Sequence, residues 1–120
     1  MNNLYKPDEF GERPWGNWKC VSVGDGFIVK IITVNSHQSL SLQMHNFRSE
    51  HWFIIKGKPT ITISDITKEY FQGQSVDIPV KTKHQLENLT DDIIEFIEIQ
   101  TGDILTEQDI IRFEDIYNRT

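Results

Sequence analysis

The sequence predicts an all-β domain, an antiparallel sandwich or barrel, from three observations. Its apolar segments are short and rich in Ile, Val, Phe and Thr, turn-forming residues separate them, and helical spacing is missing between them. No internal repeat, low-complexity tract or linker divides the 120 residues, which suffice for one domain with a single core.

In chain order, residues 1–17 read as an extended arm ending in Arg13-Pro14-Trp15-Gly16, with Trp15 pinning the arm to the barrel. Residues 18–102 supply that barrel. Its expected strands span 18–23, 27–34, 39–46, 51–56, 60–63, 75–78, 84–88 and 93–100. Gly24-Asp25-Gly26 and Gly57-Lys58-Pro59 are turn signals between them. Residues 103–120 carry a short C-terminal helix: Thr106 is a fitting N-cap, acidic Glu107 and Asp109 follow it, and Ile110, Ile111, Phe113, Ile116 and Tyr117 supply apolar positions.

Composition excludes several function classes. A formal net charge of −6 argues against a sequence-independent grip on nucleic acid phosphates. No apolar run is long enough to span a bilayer, and no signal-peptide pattern is present. The single Cys20 rules out an internal disulfide and a thiolate zinc site, and it fits a reducing, cytoplasmic setting.

Four residues, Gln43-x-His45-x4-Glu50 and the distant His84, form a candidate ligand set for one divalent cation. Imidazole, carboxylate and amide oxygen suit a hard or borderline ion and leave a position open for substrate. The run from Leu40 to His45 alternates strictly, so Ser41, Gln43 and His45 share one strand face and Leu40, Leu42 and Met44 the other. If the first set faces a polar cavity, the second faces outward and needs a cover, for which a homodimer is the simplest arrangement.

The segment Gly73-x5-Pro79-x4-His84-x3-Asn88 resembles the second motif of the cupin superfamily, and residues 37–57 resemble the first, with Gln43 where many cupins have their first histidine. Arg13-Pro14-Trp15-Gly16, Leu40-Ser41-Leu42-Gln43-x-His45, Arg48-x-Glu50-His51-Trp52, Ile97-Glu98-Ile99-Gln100-x-Gly102 and Asp109-Ile110-Ile111-Arg112 follow in order. Together they are similar to the type II mannose-6-phosphate isomerase domain, usually the C-terminal part of bifunctional mannose-1-phosphate guanylyltransferases. The resemblance implies a cupin double-stranded β-helix, or jelly-roll barrel, with a metal inside. It also implies a metal-dependent aldose–ketose isomerase serving GDP-mannose and surface-polysaccharide synthesis, with a small phosphorylated sugar as its partner. The Gly-rich phosphate loop of the nucleotidyltransferase half is not in these residues, so no GTP chemistry is expected.

The chain departs from the family pattern at Ser36-His37, Phe47, Lys81 and Asn118; the first replaces a Pro-Gly turn, the last two replace glycines, and Phe47 stands where a second histidine is common. Mannose 6-phosphate and fructose 6-phosphate interconvert by proton movement between C2 and C1 through a cis-enediolate, whose charge a cation near O1 and O2 would offset. Zn²⁺ is the first choice for that ion, with Co²⁺, Ni²⁺, Mn²⁺ or Fe²⁺ able to use the same ligands.

Glu98 shares a strand face with Ile94, Phe96 and Gln100; a partly buried carboxylate there is a candidate general base, or else a satisfied structural group. His51 follows a ligand directly and is expected to point away. Arg13 and Arg112 sit in the matching motifs, and Lys30 interrupts an apolar strand, where an inward ammonium needs an anionic partner. Arg13, Lys30 and Arg48 are the expected substrate contacts, and Arg112 joins Glu98 as a catalytic candidate; the plain alternative for each cation, and for Arg119, is a surface ion pair. Two other functions compete: a non-catalytic sugar- or sugar-phosphate-binding cupin, and a cupin isomerase or epimerase acting on another activated sugar.

Overall fold

A computed structural model describes residues 2–3 and 5–117, and among these it contains thirteen strands and no helix. β1 (Asn2–Asn3) runs parallel to β12 (Ile104–Leu105). The other strands form two antiparallel sheets. The larger has the order β2 (Phe10–Arg13), β3 (Gly16–Gly24), β4 (Phe27–Val34), β11 (Ile94–Gly102), β6 (Arg48–Lys56) and β9 (Ser75–Ile78). The smaller runs β13 (Ile111–Glu114), β5 (Leu42–Met44), β10 (His84–Glu87), β7 (Thr60–Ile63) and β8 (Ile66–Glu69). Pairing early strands with late ones, β4 with β11 and β5 with β10, winds the chain into the expected jelly-roll barrel.

Alternation builds the interior. β11 turns Ile94, Phe96, Glu98 and Gln100 inward, and β6 turns Arg48, Glu50, Trp52 and Ile54 inward. In both strands the apolar residues occupy one end and the polar ones the other. One end of the barrel is therefore an apolar core of Trp52, Phe96, Ile54, Ile94, Ile61 and Leu86, while the other buries charge. Gly57 closes the β6–β7 turn at φ 90°, a left-handed conformation in which a Cβ would also lie 2.9 Å from the Ile93 carbonyl oxygen.

Two expectations, the helical tail and the outward Leu40, are corrected, and a third, the arm, gains detail. The tail is not helical: Ile111–Glu114 adds β13 to the edge of β5, and a backbone ladder to a ready strand outcompetes a helix too short to be stable alone. Thr106 does accept an amide hydrogen through its hydroxyl, from Gln108, but it closes a turn. The arm is not merely extended, since Phe10–Arg13 pairs with β3 as a hairpin, and Trp15 is buried as expected. Leu40 faces inward rather than outward. Ser39 pairs with Glu87 but Gln43 pairs with His84, so four steps on one strand match three on the other. That extra residue is a bulge, and it turns Leu40 into the core beside Leu86 while Gln43 still faces in. Leu42 and Met44 are half-buried, so Leu40, Leu42 and Met44 do not form an outward apolar row.

Asn118 and Arg119 lie outside the described residues. Among the described residues no helix is long and apolar enough to cross a membrane.

Candidate metal centre

The site forms where the polar end of the barrel is closed by residues from both sheets. Adjacent strands β13, β5 and β10 set Arg112, Gln43 and His84 side by side in register. Across the interior, β6 presents Glu50, in register with Gln100 of β11. His45 follows the end of β5. One ligand atom each from His45, Glu50 and His84 lies within 4.8 Å of the others, and all three residues are buried. His45 Nε2 is 3.1 Å from Glu50 Oε2, and His84 Nε2 is 3.9 Å from Glu50 Oε1.

The tautomers follow from the partners. His45 Nδ1 meets the Asp109 carbonyl oxygen at 2.5 Å, and His84 Nδ1 meets the Thr82 carbonyl oxygen at 2.9 Å. A carbonyl cannot donate, so each Nδ1 carries a hydrogen, and each ring turns its Nε2 toward Glu50. His84 Nε2 is buried without a hydrogen-bond partner. Burial also lowers the His84 pKa, against the opposing pull of Glu50, and so favours the neutral ring. A buried lone pair facing a carboxylate is an arrangement that a divalent cation completes, so the residues fit a metal.

Glu50 is ionised. Burial alone would raise its pKa, but the guanidinium of Arg48 and then His45 hold it well below the usual carboxylate range. Arg48 Nε donates to Glu50 Oε2 at 2.8 Å, and its Nη2 lies 3.3 Å from His45 Nε2. Trp52 Nε1 donates to Glu50 Oε1 at 2.9 Å. Arg48 is thus a buried partner of the candidate ligands rather than a surface ion pair.

Beside the ligands opens a cavity of about 80 Å³, lined by Gln43, His45, Arg48 and Glu98 near the candidate centre and by Arg13, Lys30, Glu107 and Arg112 around it. Glu98 is buried, accepts a hydrogen bond from Gln100 Nε2 at 2.7 Å, and has its pKa raised to about 7 by burial and then by the Glu50 charge. The Gln43 carboxamide donates to the Ser41 carbonyl oxygen at 3.3 Å.

Lys30 does point inward. It is 3% exposed, its ammonium sits 4.1 Å from the ring centroids of both Tyr5 and Trp18, and it reaches Glu107 Oε2 at 3.0 Å. Arg13 and the Tyr5 hydroxyl donate to the same Glu107 carboxylate. Burial opposes its ionisation, yet Lys30 and these hydrogen bonds lower the Glu107 pKa to about 2.

His51 points outward to Asp77, 2.6 Å away. Phe47 is 53% exposed and takes no part in the cavity lining. His37 and Lys81 both hold left-handed backbone, with φ of 58° and 56°. Glu107, Asp109, Trp52 and Gln100 were not singled out from sequence as site residues. Trp52 and Gln100 have a signal, since each alternates with a candidate on its own strand; Asp109 opens one of the matching motifs, but its contact with His45, like those of Glu107, joins positions about sixty or more apart and has no local signal.

A family model described as "Mannose-6-phosphate isomerase C-terminal" matches residues 3–115. The chain belongs to that family. The chain is 44% identical over 108 residues to the alginate biosynthesis protein AlgA of Pseudomonas aeruginosa, covering 90% of this chain and 22% of that protein. It is 39% identical over 107 residues to the mannose-1-phosphate guanylyltransferase ManC of Salmonella typhimurium, covering 89% and 22%. The domain therefore spans about a fifth of the length of the curated relatives it matches. Among solved structures, a Klebsiella pneumoniae protein with a double-stranded β-helix domain aligns at TM-score 0.70 and 13% identity over 81% of this chain and 78% of that one. The capsular polysaccharide assembling protein CapF of Staphylococcus aureus aligns at TM-score 0.75 and 20% identity over 94% and 34%. These two establish the fold alone, a double-stranded β-helix.

Proposed function

We propose that this domain is a metal-dependent aldose–ketose isomerase that interconverts mannose 6-phosphate and fructose 6-phosphate for polysaccharide precursor synthesis. The observation that carries the reading is a His-Glu-His cluster, with an orphaned His84 Nε2, beside a cavity that holds both a carboxylate of pKa about 7 and several cations.

His45, Glu50 and His84 hold the ion, and Gln43, in register with His84, completes the set through its amide oxygen. Zn²⁺ suits this mixture of nitrogen and oxygen donors, and Co²⁺, Ni²⁺, Mn²⁺ or Fe²⁺ are substitutes. When bound, the cation supplies Lewis-acid stabilisation of developing oxyanion charge. Glu98 takes the proton from C2 and returns it to C1 while the hydroxyl proton of O2 passes to O1, which converts aldose to ketose with all atoms accounted for. Burial keeps that carboxyl's proton affinity near neutrality, so it can both accept and release. Arg112, Arg13 and Lys30 offset the phosphate charge, and the buried Arg48 keeps Glu50 ionised.

The test is a coupled assay with mannose 6-phosphate after Zn²⁺ or Co²⁺ loading. Turnover in the wild type, lost in Glu98→Gln with metal content unchanged and lost in His84→Ala together with the metal, supports the reading. Tight binding of the sugar phosphate by loaded wild-type protein without turnover replaces it with a non-catalytic binding function. The exposed Phe47, in place of the family's common histidine, gives that second outcome its basis.

A further inference from the structure

We infer that Asp109 is a positioning residue that fixes the tautomer and orientation of His45. The inference deepens the metal-centre reading above and rests on it for its consequence, though not for its geometry.

The segment between β5 and β6, residues 45–47, has no ladder partner to satisfy its backbone. Asp109 meets all three residues with its three acceptors. Its carbonyl oxygen accepts from His45 Nδ1 at 2.5 Å, Oδ1 accepts from the Asn46 amide at 2.8 Å, and Oδ2 accepts from the Phe47 amide at 3.0 Å. Asp109 is itself buried, and its amide donates to the Thr106 carbonyl oxygen, which also accepts from Arg48 Nη1. On its other side the His45 carbonyl oxygen accepts from the Lys81 amide at 2.7 Å. His45 is thus clamped at its ring by one segment and at its backbone by another.

The division of labour within Asp109 matters. The carboxylate holds the amides of residues 46 and 47, and this anchors residue 109 so that its carbonyl meets the imidazole. A carbonyl at that place keeps a hydrogen on Nδ1 and so directs Nε2 to the side facing Glu50. Without the carboxylate, residue 109 keeps its amide bond to Thr106 and its place beside β13 but loses both anchors to residues 46 and 47, so the carbonyl's hold on the ring loosens.

The experiment uses the full chain, with Asp109→Ala, Asp109→Asn and wild type. Two quantities are measured: the ring tautomer of His45 by long-range proton–nitrogen NMR on metal-free protein, and the Co²⁺ dissociation constant by calorimetry. Expected are a single Nδ1–H tautomer in wild type, a mixture in Asp109→Ala, and Co²⁺ binding weakened by about 10–100-fold. Asp109→Asn, whose amide oxygen can still accept one of the two amides, should recover part of both signals, which a loss of stability alone would not produce. Wild-type Co²⁺ affinity and an unchanged tautomer in Asp109→Ala overturn the inference while leaving the metal centre standing. If wild type binds no metal, the metal reading fails and the tautomers alone decide this inference. If Asp109→Ala does not fold, Asp109→Asn decides it, and values equal to wild type overturn it.

Discussion

Trp52 gives its indole N–H to Glu50, two residues earlier on the same inward face of β6, at 2.9 Å. With Arg48 Nε on the other oxygen, both carboxylate oxygens are held from their own strand, and the charge is oriented toward the two imidazoles. Trp52→Phe keeps most of the ring that packs on Phe96 and removes the donor. Co²⁺ affinity should fall about 10-fold, as removal of a hydrogen bond to a ligand does. Calorimetric titration checks this, and an unchanged dissociation constant would show that the indole serves packing alone.

His84 and His51 should separate cleanly. His84 is buried with its Nε2 aimed at Glu50, whereas His51 points to Asp77 on the outside. Loss of the Co²⁺ absorption signal is expected in His84→Ala and retention at wild-type strength in His51→Ala. Retained signal in His84→Ala would remove it from the ligand set.

Glu98 should leave a mark on stability against pH. Its native pKa is raised to about 7 from the ordinary 4.5, by burial first and Glu50 second. Between those values the native state keeps a proton that the unfolded chain has released, so this group makes stability fall as pH rises from about 4.5 to about 7. Urea unfolding of metal-free protein should show that downward trend, and Glu98→Gln should flatten it. An identical pH profile for the two proteins would mean that Glu98 is ionised throughout.

Lys81 occupies left-handed backbone, φ 56°, where a side chain costs about 1–2 kcal/mol and glycine pays an entropic penalty of about 0.5–1 kcal/mol instead. Lys81→Gly should therefore stabilise the domain by about 0.5 kcal/mol. The amide that donates to His45 survives the change, so metal affinity should stay within twofold. A lower urea midpoint for Lys81→Gly would indicate that the lysine side chain has a stabilising contact that outweighs the backbone strain.

What the sequence makes legible is local and periodic. Alternation places Glu98 inward and Gln43 beside the ligands, and strands 27–34, 60–63 and 75–78 keep their expected bounds. Alternation also misleads at Leu40, because one bulged residue shifts the parity of a strand without altering its composition. The tail is misread for a different reason: 106–117 carries helix-compatible residues, and only the free edge of β5, some seventy positions earlier, makes β13 the better arrangement. Lys30 illustrates a half-legible case. Its demand for an anionic partner follows from an ammonium in an apolar strand, but Glu107 as that partner, like Asp109 against His45, is a meeting that periodicity does not encode.

The register of Gln43 with His84 has a kinetic meaning as well. Those residues meet only when β5 and β10 pair, closing about forty residues of intervening chain, and the clamp from Asp109 reaches back further still. Such distant closures dominate the barrier for folding topologies of this kind and put refolding in the millisecond-to-second range. The cluster of His45, Glu50 and His84 should then be complete only once the barrel has closed, and a Co²⁺ colour change would serve as a stopwatch for that step.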